Sequence, residues 1–356
     1  MAAAKRTYNV AVVGATGAVG TEMIRVLEQR KFPVNRLRLL ASERSAGKKL
    51  PALGGHIAVE ALTASAFDGI DVALFSAGKG RSLQFGPEAV KRGAVVVDNS
   101  SAYRMDPKVP LVVPEINPED LRWHRGIIAN PNCSTIIMLV PLWPLHQAAT
   151  IRRIVVATYQ SASGAGAKAM AELEEQTRQV LGGRPATKEV FPHQYAFNLF
   201  SHNSAVDHAS GYNEEELKMV AETRKIFHAP RINVTPTCVR VPVLRAHSEA
   251  ITIECEKKLT PEAARKLLAK APGVLLVDDR KQNYFPMPLE ASGRDEVLVG
   301  RLREDLSHPK GLCLFVSGDQ LLKGAALNAV QIAELLVSGK YPTGGTSTRR
   351  AVAKAR

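Results

Sequence analysis

The chain has 356 residues, of which 45% are hydrophobic and 23% charged, a composition typical of a globular protein large enough for two domains. No apolar run reaches the roughly 18–20 residues of a membrane helix, and the first strand follows the N-terminal Met too closely for a signal peptide. We therefore expect a cytoplasmic protein without membrane contact. The four cysteines are scattered and form no C-x-x-C pair, so we expect neither a disulfide framework nor a bound metal.

The formal net charge of +13 favours anionic partners such as phosphorylated small molecules or nucleic acid. The alternative is an ordinary basic, solvated surface. Only 5% of the residues are aromatic, and no basic stripe alternates with aromatic side chains, so we expect no nucleic-acid partner. The densest basic cluster is the tail, residues 343–356, which we expect to be disordered.

The N-terminal third alternates between apolar runs and helical patterns. Residues 8–13 are apolar and lead into GATGAVG, after which Val19, Met23, Val26 and Leu27 recur at helical spacing. This order predicts a strand, a glycine turn and a helix. Further strands are predicted at 37–41, 71–76 and 94–99, with a helix at 87–93 that has a proline near its start. Strands that are apolar throughout indicate a parallel sheet covered on both faces.

After about residue 150 the pattern changes. Residues 249–256 alternate strictly, with Ile251, Ile253 and Cys255 on one face and polar side chains on the other. Half-polar strands of this kind indicate a mixed or antiparallel sheet with one face against helices or a partner subunit. Other strands are predicted at 151–160, 296–302 and 311–318, an inserted loop at 182–213, and a last helix at about 318–338, closed by Gly339.

The pattern as a whole predicts an α/β protein with two domains. The first, residues 1–132, is a Rossmann-like doubly wound domain, and the helix at 320–338 returns to it. The second, residues 133–319, is an α+β domain with a mixed sheet. In this fold class the functional site lies in the cleft between the domains, beyond the carboxyl ends of the strands.

The glycine turn after the first strand is a candidate dinucleotide site. Gly14, Gly17 and Gly20 have the spacing GxxGxxG rather than GxGxxG. The physical requirement is the same: a tight turn, a backbone close to a pyrophosphate, and free N–H groups at a helix N-terminus. The position of the turn between a strand and an amphipathic helix favours this function over a purely structural turn.

The end of the second strand indicates which dinucleotide binds. Ser42, Arg44, Ser45 and Lys48 suit the 2′-phosphate of NADP, whereas Glu43 could instead bond the ribose hydroxyls of NAD. We favour NADP. A large kinetic preference for NADH would contradict this interpretation.

Residues 127–135 contain the strongest candidate nucleophile. A strand ends in Asn130-Pro131, and a helix begins around Cys133 and Ser134. At a helix N-terminus the dipole and the free N–H groups favour a thiolate, and the same N–H groups can hold an oxyanion after attack on an acyl carbon. The alternative is a buried, inert cysteine, which we assume for Cys255 and Cys313.

A thiol nucleophile needs an acid/base partner, and the chain has nine histidines. His247 lies just before the alternating strand and seven residues after Arg240. Pro242 interrupts the alternation, so residue parity does not decide whether the two side chains share a face. From the residues alone, a catalytic and a structural role for His247 both remain open.

The motifs in combination resemble one family over residues 8 to 340, the aspartate-semialdehyde dehydrogenases of the bacterial type. The motifs are VVGATGAVG, SAGKGRS, VDNSSAYRMD, VPEIN, ANPNCSTI, TYQSASGAG, EEELKM, CVRVPVLRAHSEA and GAALNAVQIAE. The resemblance implies the NADPH-dependent reduction of 4-phospho-L-aspartate to L-aspartate 4-semialdehyde with release of phosphate, which feeds the biosynthesis of lysine, threonine, methionine and isoleucine. It also implies a homodimer, or a tetramer of two dimers, with residues 133–319 as the catalytic and dimerisation domain.

The resemblance also implies a role for each matching residue. Cys133 would be the acyl-thioester nucleophile, His247 the general acid/base, and Gln160 would orient the substrate. Arg240 would bind the α-carboxylate and Glu215 the α-ammonium. The implied phosphate pocket consists of Arg104, Asn132 and Lys218. The implied cofactor contacts are Gly14, Thr16, Gly17, Ala18, Val19, Gly20, Arg44, Ser45, Ser163, Gly164 and Asn328.

Other interpretations of these residues remain. Glu215 and Lys218 could form an ordinary solvated helix face, Arg104 could cap a turn, and Asn132 could only cap a helix. A related enzyme, an N-acetyl-glutamyl-phosphate reductase, would share the glycine turn and the cysteine but would not need Glu215 for a free ammonium. A dinucleotide-sensing paralogue without catalysis would be expected to lack the cysteine or the histidine, and the chain has both.

Overall fold

A computed structural model describes residues 6–341, and the predicted basic tail at 343–356 lies outside the described residues. Two sheets of seven strands each organise the described chain. The first contains β1 (Tyr8–Val13), β2 (Val34–Ala41), β3 (Lys49–Ala52), β4 (Gly55–Ala61), β5 (Val72–Phe75), β6 (Val95–Asp98) and β7 (Ile127–Ala129). Its helices are α1 (Ala18–Gln29) and α2 (Lys79–Lys91).

The first sheet has the order β3-β4-β2-β1-β5-β6-β7, and every pairing except β3 with β4 is parallel. The strand order reverses at β1, so the crevice of the sheet opens at the carboxyl end of this strand. Val10 and Val12 enter one core, whereas Ala11 and Val13 enter the core on the opposite face. The prediction of a parallel sheet covered on both faces is confirmed.

The second sheet is mixed. It contains β8 (Ile151–Gln160), β9 (Phe200–Ser201), β10 (Asn233–Arg240), β11 (His247–Cys255), β12 (Val274–Leu276), β13 (Val297–Glu304) and β14 (Gly311–Gly318), in the order β12-β13-β14-β11-β8-β10-β9. The helices that follow the first domain are α3 (Cys133–Ala149), α4 (Ala167–Leu181), α5 (Glu214–Ile226), α6 (Pro261–Leu268), α7 (Pro288–Ala291) and α8 (Leu327–Ser338). β8 pairs in parallel with β10 but antiparallel with β11.

The core beneath the second sheet is formed by α3, α5 and α6. Ile251, Ile253 and Cys255 point into it, as their alternation predicted. The segment that connects β6 to β7 also contributes to this core through Val109 and Val113, although the sequence placed it in the first domain. α8 packs with α1 against the first sheet, so the chain returns there as expected.

Two predicted helices are wrong in extent. α2 begins at Lys79, and Pro87 lies in its interior rather than near its start. Pro87 has no N–H group, so the carbonyl of Leu83, four residues earlier, has no helical hydrogen-bond donor. Leu83 is 47% exposed and lies on the solvent side of α2. The last helix does not begin near 318, because Gly318 ends β14 and the residues from Leu322 to Ala326 form a π-helical turn before α8.

Candidate active site

Cys133 is the first residue of α3, in the strand–turn–helix arrangement that the sequence predicted. Asn132 caps the helix: its side-chain oxygen accepts the backbone N–H groups of Ser134 at 3.0 Å and Thr135 at 3.2 Å. These two N–H groups are therefore occupied, and the expectation that they would hold an oxyanion is wrong. The Cys133 residue itself is partly exposed toward a cleft.

His247 is the first residue of β11, and its Nε2 lies 3.6 Å from the sulfur of Cys133. The ring is completely buried. On its other side, Nδ1 lies 3.0 Å from both the backbone N–H and the hydroxyl of Ser161. The Ser161 N–H donates to Nδ1, so Nδ1 is the acceptor here and the proton of the neutral ring is on Nε2, facing the sulfur. In the other tautomer, the Ser161 hydroxyl can accept a proton from Nδ1. The structure thus brings the thiol and the imidazole together, although 114 residues separate them in the sequence.

Both groups of this pair are neutral at physiological pH. Burial raises the pKa of the Cys133 thiol to about 12, Glu215 adds to this, and Arg104 and Arg240 act in the opposite direction. Burial, followed by the charge of Arg240, lowers the pKa of His247 to about 3. Desolvation of the thiol thus acts against the thiolate that the sequence predicted. To accept the thiol proton on Nε2, the ring must carry its own proton on Nδ1, where the Ser161 hydroxyl can accept it.

Arg240 and Gln160 lie side by side at the ends of β10 and β8, which pair in register. Both side chains are buried and line the cleft. The guanidinium of Arg240 donates from Nη1 to the carbonyl of Ser161 at 3.2 Å. The amide nitrogen of Gln160 makes only long contacts, 3.3 Å to Thr158 and 3.4 Å to Glu215. A group bound in the cleft would therefore compete with these two weakly bonded acceptors for the N–H groups of the amide.

The N-terminal part of α5 brings a carboxylate and an ammonium to the same cleft. Glu215 accepts the side-chain amide of Asn132 at 2.8 Å and lies 3.5 Å from Lys218. Burial opposes ionisation of Glu215, but the neighbouring imidazole of His202, the charges of Lys218 and Arg240 and the Asn132 amide outweigh it and lower its pKa. Glu215 is thus a buried, ionised carboxylate rather than part of a solvated face.

Arg104 reaches the cleft from the loop after β6 and is held by three partners. It donates to the carbonyls of Asn130 at 3.0 Å and Asn99 at 2.9 Å, and to the carboxylate of Glu222 at 3.1 Å. Glu222 also accepts the backbone N–H of Asn132 at 2.6 Å. Sequence reasoning missed Glu222, although its i, i+7 spacing from Glu215 puts both on one face of α5.

One cleft contains most of the residues that the sequence singled out. The substrate candidates that line it are Arg104, Asn132, Cys133, Gln160, Glu215, Lys218 and Arg240, and the cofactor candidates are Val19, Ser163 and Gly164. The sequence did not predict eight further lining residues, which are Asn99, Ser101, Pro131, His202, Gln320, Leu321, Gly324 and Ala325. Of these, Gln320, Leu321, Gly324 and Ala325 lie at or near the π-helical turn. This turn approaches Cys133 through packing between residues that are remote in sequence.

A second cleft lies at the glycine turn. Gly14 has φ +85°, and a Cβ there would lie 2.2 Å from the carbonyl oxygen of Ser76. A Cβ on Gly20 would lie 2.1 Å from the carbonyl oxygen of Gly14. α1 starts at Ala18 without a side-chain cap among the described residues, so its first N–H groups face the cleft. This uncapped terminus above a tight turn fits the pyrophosphate of a dinucleotide.

The remaining cofactor candidates differ in position. Thr16 and Gly17 line the second cleft together with Ser42 and Arg81, and sequence reasoning missed Arg81. Arg44 and Ser45 lie in a short 3-10 turn directly after Ser42, beside the cleft rather than in its lining.

Asn328 is not among the residues that line either cleft, and the predicted cofactor contact there stays a prediction. Its side chain is buried, and its amide nitrogen donates to the carbonyl of Val112 and the side chain of Asn130 at 3.0 and 2.7 Å. Its oxygen accepts from Lys323 at 3.0 Å. These hydrogen bonds hold Asn130 and thereby the turn that precedes Cys133.

The dinucleotide-type fold, the cysteine–histidine pair and the anion-binding side chains define an oxidoreductase with a separate dimerisation domain. Residues 9–124 match the family model "Semialdehyde dehydrogenase, NAD binding domain", and residues 142–323 match "Semialdehyde dehydrogenase, dimerisation domain". The chain belongs to the aspartate-semialdehyde dehydrogenase family.

Individual relatives agree over nearly the whole length. The chain is 60% identical to an aspartate-semialdehyde dehydrogenase of Synechocystis over 92% of this chain and 97% of the relative, and 54% identical to one of Aquifex aeolicus over 93% and 98%. The crystal structure of aspartate semialdehyde dehydrogenase II from Vibrio cholerae superposes with a TM-score of 0.90 at 47% identity, covering 94% of this chain and 99% of that one. The same Vibrio protein has also been solved in complex with ASA.

Within residues 6–341, none of the helices combines the length and the apolar character that spanning a bilayer requires.

Proposed function

We propose that the chain catalyses the NADPH-dependent reduction of 4-phospho-L-aspartate to L-aspartate 4-semialdehyde, with release of phosphate. The observation that carries this proposal is the 3.6 Å contact between the Cys133 sulfur and His247 Nε2 in a cleft that also holds cations and a carboxylate. A thiol with an acid/base partner suits transfer of an acyl group from an acyl phosphate.

The charges of the cleft complement those of the substrate. Arg240 supports binding of the α-carboxylate, since a guanidinium can bind a carboxylate through two parallel hydrogen bonds. The ionised Glu215 suits the α-ammonium. Arg104, Lys218 and the Asn132 amide form the group proposed to hold the phosphate. An acyl phosphate with an acylated amine would offer Glu215 no substrate ammonium to bind.

In the proposed reaction, the sulfur of Cys133 attacks the acyl carbon, and His247 takes the thiol proton on Nε2 while its Nδ1 proton is held by the Ser161 hydroxyl. The carbon–oxygen bond to phosphate breaks, and a thioester on Cys133 remains. When bound, NADPH would supply the hydride that reduces the thioester carbon. The amide of Gln160 donates to the oxygen that becomes negative, in place of the N–H groups occupied by Asn132. His247 returns its proton as the carbon–sulfur bond breaks and the aldehyde leaves.

The proposed cofactor is NADP. The uncapped start of α1 at Ala18 supports binding of the pyrophosphate. At the end of β2, Ser42 lines the cleft and Arg44 stands two residues further, which suits a 2′-phosphate on the adenosine ribose. Arg81 supplies a second cation in the lining of this cleft.

The proposed assembly is a homodimer formed through the second sheet. The face of this sheet opposite its core carries partly exposed apolar side chains, Val155, Ala157, Tyr159 and Phe315. A second copy of the chain would bury these apolar side chains, whereas a face that stays free in solution normally carries charged residues. Light scattering of the purified chain distinguishes the dimer from the tetramer, and a monomer would contradict the proposal.

One assay tests the proposed reaction in the reverse direction. L-aspartate 4-semialdehyde, phosphate and NADP are expected to give NADPH, followed at 340 nm, only when all three are present. Cys133→Ser should abolish the activity and leave NADP binding intact. Cys255 lies on β11 and points into the core beneath the second sheet, so Cys255→Ser should retain the activity. Faster turnover with the N-acetyl-glutamate semialdehyde, or near-normal turnover of Cys133→Ser, would overturn the proposal.

A further inference from the structure

His202 is a cleft residue for which the proposed reaction has no step. It stands in the inserted segment 182–213, directly after β9, and it is partly buried. Its Nε2 lies 2.8 Å from Nη2 of Arg240, and its Nδ1 lies 3.1 Å from the hydroxyl of Ser204. It therefore stands between a residue of the sheet and a residue of its own segment.

The two ring nitrogens of His202 connect Arg240 to Ser204. A guanidinium only donates, so Nε2 of His202 is the acceptor of the Arg240 contact. Burial, followed by the charge of Arg240, lowers the pKa of His202. Nδ1 lies against Ser204, whose hydroxyl is 3.1 Å and whose backbone N–H is 3.2 Å away.

Ser204 extends the contact to α5. Its hydroxyl also accepts the backbone N–H of Glu215 at 3.2 Å. The order Arg240, His202, Ser204, Glu215 is thus a continuous series of hydrogen bonds. It joins the end of β10 to the first turn of α5, and its two ends are the proposed binding groups for the α-carboxylate and the α-ammonium.

We propose that His202 is a positioning residue that sets the distance between Arg240 and Glu215, and so selects substrates that carry a carboxylate and an ammonium on one carbon. A neighbour in the same segment adds to the hold on Arg240, since Asn203 accepts from its Nε at 3.3 Å. Without His202, the long Arg240 side chain would have to be ordered by the substrate itself, and binding would weaken. The inference rests on the proposed function.

The test compares His202→Leu, which removes the acceptor, with His202→Gln, whose side-chain oxygen can still reach Arg240. His202→Leu is expected to raise KM for aspartate semialdehyde by about tenfold or more, with kcat changed by less than about threefold. KM for phosphate and for NADP should stay within about twofold. His202→Gln should recover most of the loss. His193→Leu, an exposed histidine of the same segment, is the matched control and should behave as wild type.

Selectivity gives a second readout that a purely structural role would not change. Succinate semialdehyde keeps the carboxylate but lacks the ammonium. The preference for aspartate semialdehyde over this analogue, as a ratio of kcat/KM values, should fall by about fivefold or more in His202→Leu. Wild-type KM values and an unchanged ratio would overturn the inference while the proposed function stands. If the wild type shows no phosphate-dependent turnover, the proposed function itself fails. Should His202→Leu not fold, His202→Asn, too short to reach Arg240, replaces it in the comparison.

Discussion

The carboxylate of Glu222 accepts the backbone N–H of Asn132 at 2.6 Å and the guanidinium of Arg104 at 3.1 Å. One buried group on α5 therefore holds both the peptide before the nucleophile and a cation proposed to bind phosphate. Its pKa is raised by burial, which Arg104 and the Asn132 N–H oppose. The position of Cys133 thus depends on a residue with no direct part in the reaction.

Glu222→Gln is expected to lower the free energy of unfolding by about 3 kcal/mol, because a buried cation loses its carboxylate and a donor group faces another donor. Chemical denaturation measures this change, and kcat should fall as well. Glu214→Gln, an exposed residue of the same helix, is the control and should shift stability by less than about 0.5 kcal/mol. Equal shifts for the two variants would show that Glu222 does not support the site.

The reactivity of Cys133 is expected to depend steeply on pH. Only the thiolate is alkylated, and its fraction falls about tenfold for each pH unit below the pKa. With a pKa of about 12, the alkylation rate of the substrate-free enzyme by iodoacetamide should rise continuously from pH 6 to pH 9. Cys133→Ser supplies the background from the other cysteines. A plateau that begins near pH 6 would instead indicate a stable thiolate.

His247→Asn is expected to reduce kcat by about 100-fold or more, since a general acid/base typically contributes 10²- to 10⁴-fold. KM for the semialdehyde should change little, because Arg240 and Glu215 remain. Steady-state kinetics in the phosphorylating direction separates the two constants. A variant in which KM rises while kcat is preserved would assign His247 to substrate binding.

Arg44 and Arg81 are expected to differ in their effect on the cofactor. Arg44→Ala should weaken the binding of NADPH by about tenfold and change the binding of NADH little, because only NADPH carries the 2′-phosphate. Arg81→Ala should weaken the binding of both cofactors, since Arg81 lines the same cleft as the glycine turn. Fluorescence titration measures these dissociation constants. A wild-type enzyme that prefers NADH would contradict the assignment of NADP.

Gly324→Ala is expected to reduce turnover because the added Cβ would lie 2.9 Å from the Cβ of Cys133. Either the nucleophile or the π-helical turn must move, at a cost of about 1–3 kcal/mol. Gly80→Ala in α2 is the matched control, as nothing lies within 4 Å of a Cβ there. Comparable kcat and melting temperature for the two variants would show that the turn adapts without effect.

Sequence reasoning succeeded where local pattern decides structure. The parallel sheet, the glycine turn and the helix start at Cys133 each follow from hydrophobic periodicity, glycine spacing and capping residues. It failed where distant contacts decide. The protonation state of Cys133 depends on burial and on Glu215, and the bonds of Asn328 depend on the loop after β6. His202, Glu222 and Arg81 were missed for the same reason, as their neighbours in space are remote in sequence.

Gly324 packs against Cys133, and α8 then fixes this turn to the first sheet. The rear wall of the catalytic cleft thus comes from almost the last described part of the chain. During synthesis on the ribosome, the thiol and its imidazole emerge well before this wall does. A chain that stopped before Leu322 would lack this wall, so activity is expected only once the π-helical turn has been synthesised.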